Sequence, residues 1–95
     1  MKLNHNGKRY DTEKCEKIAE KTLRSHTNNY TGTRYIGVAK DGAILEWQNT
    51  NGQDCWISDT CGVIGREEAI ERLDSMEMDA EQESAAVRLK FIKEI

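Results

Sequence analysis

Three cysteines and two histidines are the side chains here with the most chemistry to offer. Cys55 and Cys61 form a C-x5-C pair, with Cys15, His5 and His26 as further donors. A structural zinc site wants four ligands, usually from two C-x2–4-C knuckles. One pair at x5 falls outside that pattern, and His5 and His26 are not at a ligand spacing from each other. No metal site is assigned, and the purified protein is expected to hold less than stoichiometric zinc and to keep its fold in a chelator. The thiols read better as small buried hydrophobes. A Cys55–Cys61 disulfide is geometrically open, but an odd cysteine count fits a reducing compartment.

Nucleophilic catalysis needs a thiol or hydroxyl beside a base that a third group holds. Cys61-Gly62 with His26 is the nearest approach, and nothing in the spacing brings them together. Paired carboxylates are plentiful, yet only Glu46 stands in an apolar stretch, between Leu45 and Trp47. In a strand that flanking simply turns Glu46 to the opposite side. Gly62 and Gly65 lack the rest of a phosphate-binding fingerprint. No catalytic residue and no cofactor site are assigned, and the chain is read as a non-enzyme.

The elements that must position any site follow from periodicity. Asn6-Gly7 is a type I′ turn signal, so Met1–His5 and Lys8–Tyr10 read as the arms of a small hairpin or as one short strand with a lead-in. Asp11 or Thr12 offers an N-cap. Cys15, Ile18, Ala19, Thr22 and Leu23 then fall on one face at helical spacing, which predicts a helix over 12–25. Glu13–Lys17 and Glu20–Arg24 support it at i,i+4. Ser25–Thr33 is a polar loop whose Asn29-Tyr30-Thr31 sequon is a chance match in a chain without a secretion signal. Thr33–Lys40, Ala43–Gln48 and Gln53–Ser58 are rich in β-formers and separated by Asp41-Gly42 and Asn51-Gly52, which predicts a three-stranded antiparallel meander over 33–58.

Two-residue turns would set Ile36 opposite Trp47, Val38 opposite Leu45 and Trp47 opposite Trp56. One face then collects Ile36, Val38, Leu45, Trp47 and Trp56. Three-residue turns with Gly in a bulge would slip Ile36 opposite Glu46 and mix charge with apolar residues, so the two-residue register is preferred. Glu67 and Glu68 in its first turn favour a helix over 66–76 with Ala69, Ile70 and Leu73 as its stripe. Asp79 with Gln82 suggests a capping box opening a further helix over 79–93, although Val87–Phe91 also alternates like an edge strand.

Length and charge bound the rest. Ninety-five residues make one domain, 1–95, that buries about 60–65% of its unfolded surface. Hydrophobic residues are 37% and mean hydropathy is −0.80, so the core is modest and the exterior well solvated. Both tryptophans and a small net charge argue against disorder. No stretch approaches the ~20 apolar residues of a membrane span, and Met-Lys-Leu-Asn-His lacks the apolar run of a signal peptide. A cytoplasmic location with no membrane contact is expected.

Residues 1–40 carry nine basic against four acidic side chains, a balance of +5, while 41–95 carry five against thirteen, a balance of −8. The acidic stretch 67–83 holds eight acids against a single Arg72, a charge that suits a basic partner surface. Phosphate contacts would need a basic stripe such as Lys8, Arg9, Lys14, Lys17, Lys21, Arg24 and Arg34. Glu13, Glu16 and Glu20 interleave with it, and the pI of about 5.4 is low for such a role.

The run Gly7-Lys8-Arg9-Tyr10-Asp11-Thr12-Glu13-Lys14-Cys15-Glu16-Lys17-Ile18-Ala19-Glu20 resembles the opening of short bacterial and phage-borne proteins to which no function is attached. Gly65-Arg66-Glu67-Glu68-Ala69 is loosely similar to their second helix start. Ala is more usual in that group where Cys15 stands. The resemblance implies a small prokaryotic accessory protein from a mobile element, and it carries no catalytic or binding residue.

These readings converge on an α+β fold. A small antiparallel sheet, the 33–58 meander with an N-terminal strand as a candidate fourth, packs on helices 12–25, 66–76 and 79–93. The expected core is Ile18, Leu23, Ile36, Val38, Leu45, Trp47, Ile70 and Leu73. The expected function is non-catalytic binding of another protein, through Glu67, Glu68, Glu71, Asp74 and Glu77 or through the Trp47/Trp56 face. The alternative is a nucleic-acid-binding module that uses the basic residues of 8–24 and Arg34. Zinc binding and catalysis rank below both.

Overall fold

The computed structural model describes residues 1–50 and 59–95. Asn6 and Gly7, both at positive φ, close a two-residue turn between β1 (Lys2–His5) and β2 (Lys8–Asp11), with His5 opposite Lys8. The amide and hydroxyl of Thr12 donate to the Met1 carbonyl and tie the open end of this hairpin. The hairpin is a separate two-stranded sheet and not a fourth strand of the central one. The Asp11 carboxylate caps a single 3-10 turn at Thr12–Lys14 by accepting from the Glu13 amide.

The helix expected over 12–25 is instead β3 (Glu16–Arg24), paired along its length with β4 (Tyr30–Val38). A β-bulge explains the misleading spacing. The register shifts between Lys17 and Ala19, so Ile18 and Ala19 both bury completely. Two adjacent inward residues in a bulged strand imitate the i,i+1 pairs of an amphipathic helix. The hydrogen-bonding partner β4 then overrides helix propensity, which is worth well under 1 kcal/mol per residue.

The central sheet has the order β3-β4-β5-β6, all antiparallel, with β5 at Ile44–Thr50 and β6 at Thr60–Ile64. The strand beside β5 is therefore 60–64, while the expected strand 53–58 lies outside the described residues. Between β4 and β5 the turn is the three-residue kind: Ala39 and Ala43 close it, and Gly42 sits at φ 91° in the bulge position. Ile36 lies opposite Glu46, Tyr35 opposite Trp47 and Val38 opposite Ile44. The preferred two-residue register is thus overturned. It assumed one buried face, whereas both faces of this sheet are covered.

One face packs on the helices, α1 (Arg66–Leu73) and α2 (Ala80–Arg88). Ile18, Ala19, Ile36 and Ile44 meet Ala69, Leu73, Ala85, Ala86 and Phe91 there, with Val38, Ile64, Met76 and Met78 at the margin. The other face holds Leu45 and Trp47, both buried, and lies toward the N-terminal hairpin, whose β1 touches β6. Of the expected core, Leu23 is only half-buried and Ile70 is exposed.

The two helices are shorter than expected. The capping box of Asp79 and Gln82 opens α2, with the Gln82 amide donating to Asp79 Oδ1 at 2.8 Å and the Asp79 amide donating to Gln82 Oε1 at 2.9 Å. Lys90, at φ 66°, ends the helix in a Schellman motif: the Phe91 amide donates to the Ala86 carbonyl and the Lys90 amide to that of Val87. This turns Phe91 back into the core, so neither a helix to 93 nor an edge strand forms. Before α2, Glu77 exchanges two backbone hydrogen bonds with Glu20 and covers part of the β3 edge. Among the described residues, no helix is long and apolar enough to cross a membrane.

Candidate functional site

The outer face of α1 is defined by what its inner face buries. Ala69 and Leu73 point into the core, which leaves Glu67, Ile70, Glu71 and Asp74 on the opposite side at i, i+3, i+4 and i+7. All four are exposed, and Ile70 keeps 39% of its surface in solvent. It was expected in the core because it follows Ala69 within the same apolar run.

Each arginine of the helical region is committed elsewhere. Arg72 bridges Glu46 on β5 and Glu68 on its own helix. Arg88 pairs with Glu16 on β3. Arg66 donates to the Leu89 carbonyl and lies 4.3 Å over the Phe91 ring. Glu67, Glu71 and Asp74 therefore have no ion-pair partner among the described residues. Glu68 is neutralised by Arg72, and Glu77 contributes an exposed side chain from a segment whose backbone is fixed on β3.

Trp47 does not belong to an exposed aromatic surface. It is 2% exposed, lies between Tyr35 on β4 and Cys61 on β6, and stacks on Tyr35 with ring centroids 5.5 Å apart. Gly37 makes room for it, since a Cβ there would come within 2.8 Å of the indole. The expected Trp47–Trp56 pair, and Cys55 with it, lie outside the described residues.

The basic residues are dispersed by the strand that replaced the helix. Lys17 stands opposite Gly37 and its ammonium lies 4.5 Å from the centre of the Tyr35 ring. Across the bulge, Lys21 stands opposite Arg34, on the other face of the sheet. Arg34 gives two hydrogen bonds to Gln48 Oε1, and Arg24 donates to the Asn28 carbonyl. Lys8, Arg9 and Lys14 line a cleft of about 230 Å³ between β2 and the β4–β5 turn. Lys40 and Asp41 form its far wall, residues that sequence reasoning used only as a turn signal.

Cys15 and Cys61 are half-buried, and burial pushes both thiols up, away from the reactive thiolate. His5, at the end of β1, and His26, in the turn after β3, are both exposed. Among the described residues, no three His, Cys, Asp or Glu side chains converge as a metal shell.

No family model matches this chain. No curated protein and no solved structure shows significant similarity to it.

Proposed function

We propose that this is a non-catalytic accessory protein whose α1 docks a basic, partly apolar surface of another protein. The observation that carries the reading is Ile70, exposed at 39% in the middle of Glu67, Glu71 and Asp74 while the neighbouring arginines are spent on internal contacts. An apolar anchor inside a charged rim is the anatomy of a docking patch. Un-neutralised carboxylates speed encounter with a cationic partner and give it a salt-dependent affinity. A cytoplasmic, prokaryotic and mobile-element setting belongs to the same proposal.

The nucleic-acid alternative finds less support, because Lys17 and Lys21 stand on opposite faces and Lys8 and Arg34 are engaged within the chain. The test compares affinity capture from a bacterial lysate by the native protein and by the Glu67→Lys/Glu71→Lys/Asp74→Lys variant. A protein retained at low salt by the first and lost with the second, at unchanged circular dichroism, is expected. It should also be lost with Ile70→Asp. Equal capture by native and variant proteins would overturn the proposal.

A further inference from the structure

We propose that the cleft between β2 and the β4–β5 turn binds a small organic phosphate monoester. Two walls distant in sequence make it. One carries Lys8, Arg9 and Tyr10, with Lys14 beyond them, and the other carries Lys40 and Asp41. Asp41 is the clamp: Lys8 Nζ donates to its Oδ2 at 3.0 Å and the Tyr10 hydroxyl donates to the same oxygen at 2.8 Å. The Ala43 amide donates to Oδ1 at 3.1 Å. The walls are therefore held apart at a fixed spacing before any ligand arrives, which lowers the ordering cost of binding.

The clamp also sorts the cations. Lys8 is neutralised by Asp41. Arg9, Lys14 and Lys40 are exposed and have no acidic partner among the described residues. The other carboxylate on the rim, Asp11, is occupied as the cap of the 3-10 turn. Three unpaired cations against one capped carboxylate leave two net positive charges, the complement of a phosphate dianion. Arginine adds a planar fork that matches two phosphate oxygens.

Size and lining choose the rest of the ligand. At about 230 Å³ the cleft is smaller than the ~300–1,000 Å³ of sites for drug-sized ligands and cofactors. Its lining also includes Cys15, Ala39 and Tyr10, apolar surface that inorganic phosphate would leave uncovered. A phosphate carrying one compact apolar or aromatic group fills both parts. No residue of this cleft is shared with the α1 surface, so the two proposals stand or fall separately.

The probes are inorganic phosphate, phenyl phosphate and decathymidylate, titrated at low salt and neutral pH into isotope-labelled protein. Amide shifts at residues 9–15 and 39–41 report binding. Expected are saturable shifts with phenyl phosphate at an affinity several-fold tighter than for inorganic phosphate. Arg9→Ala and Lys40→Ala, both at exposed positions, each weaken it about tenfold by removing a charge-assisted contact. The assignment is overturned if neither phosphate probe saturates, if inorganic phosphate binds equally well, or if the variants leave affinity unchanged. It is also overturned if decathymidylate alone binds, which would make the cleft part of a nucleic-acid surface.

Discussion

Gly37 and Asp41 show how single residues shape the end of β4 that leads into β5. A Cβ at residue 37 would stand 2.8 and 2.9 Å from two atoms of the Trp47 ring and 3.1 Å from the Glu16 carbonyl oxygen. Gly37→Ala is therefore expected to destabilise the fold by about 1–3 kcal/mol, the cost of overpacking a filled site. Urea unfolding followed by circular dichroism measures it, and an unchanged midpoint would mean that the indole tilts without loss. In the turn that follows β4, the Ala43 amide, Lys8 and Tyr10 all donate to Asp41 and hold its carboxyl at about 2, below its ordinary 3.8. A folded value below the unfolded one stabilises the fold above pH 3.8, and that contribution is lost as the pH falls toward 2. Native protein and Asp41→Asn should thus differ in melting temperature at neutral pH and converge in acid. A difference that stays constant with pH would assign the effect to the amide itself.

At the scale of elements, β3 and α2 make opposite points. β3 has helical spacing and forms a strand because its bulge buries Ile18 and Ala19 side by side and β4 satisfies its backbone. α2 has the caps to match its sequence: Asp79 and Gln82 start it, and Lys90 ends it in the left-handed region. Only glycine takes that conformation without cost, at about 1 kcal/mol for other residues. Lys90→Gly is expected to raise stability by about 0.5–1 kcal/mol, since the Schellman bonds use backbone alone. A thermal melt of the variant tests this, and a lowered midpoint would show that the Lys90 side chain contributes a contact of its own. Neither helix is long enough to persist alone, at eight and nine residues. Both depend on the sheet.

Across the whole molecule, acid–base pairs join the helical layer to the sheet. Glu46 would place a carboxylate in the apolar contact between β5 and α1, and Arg72 reaches it from the helix. Arg88 to Glu16 makes the same crossing from α2 to β3, and beside it the Gln82 side-chain amide donates a hydrogen bond to Glu20. Removing Arg72 as Arg72→Met leaves the Glu46 side chain largely buried without its partner, at an expected cost of about 1–3 kcal/mol. Glu46→Gln in that background should recover part of the loss, because the neutral amide is cheaper to bury unpaired. Equal stability of the single and double variants would show that solvent already screens the carboxylate. The same pairs leave a basic hairpin side and an acidic helical side, the arrangement on which both proposed binding surfaces rest.

By itself, the sequence determined the α+β class, the turn at Asn6-Gly7, the antiparallel pairing around Asp41-Gly42, the capping box at Asp79 and the start of the helix at Arg66. These are local signals, written in turn glycines, cap side chains and the position of acids in a first turn. Register and the identity of β3 were decided only by tertiary structure. Both depend on how many faces of the sheet are covered, and a residue cannot report that about itself. Glu46 is the clearest case: beside Leu45 and Trp47 it reads as a solvent-facing strand residue, and only the distant Arg72 makes its inward position tolerable. The cleft follows the same logic, since Lys8 and Asp41 are thirty-three residues apart and meet only when the hairpin folds against the β4–β5 turn.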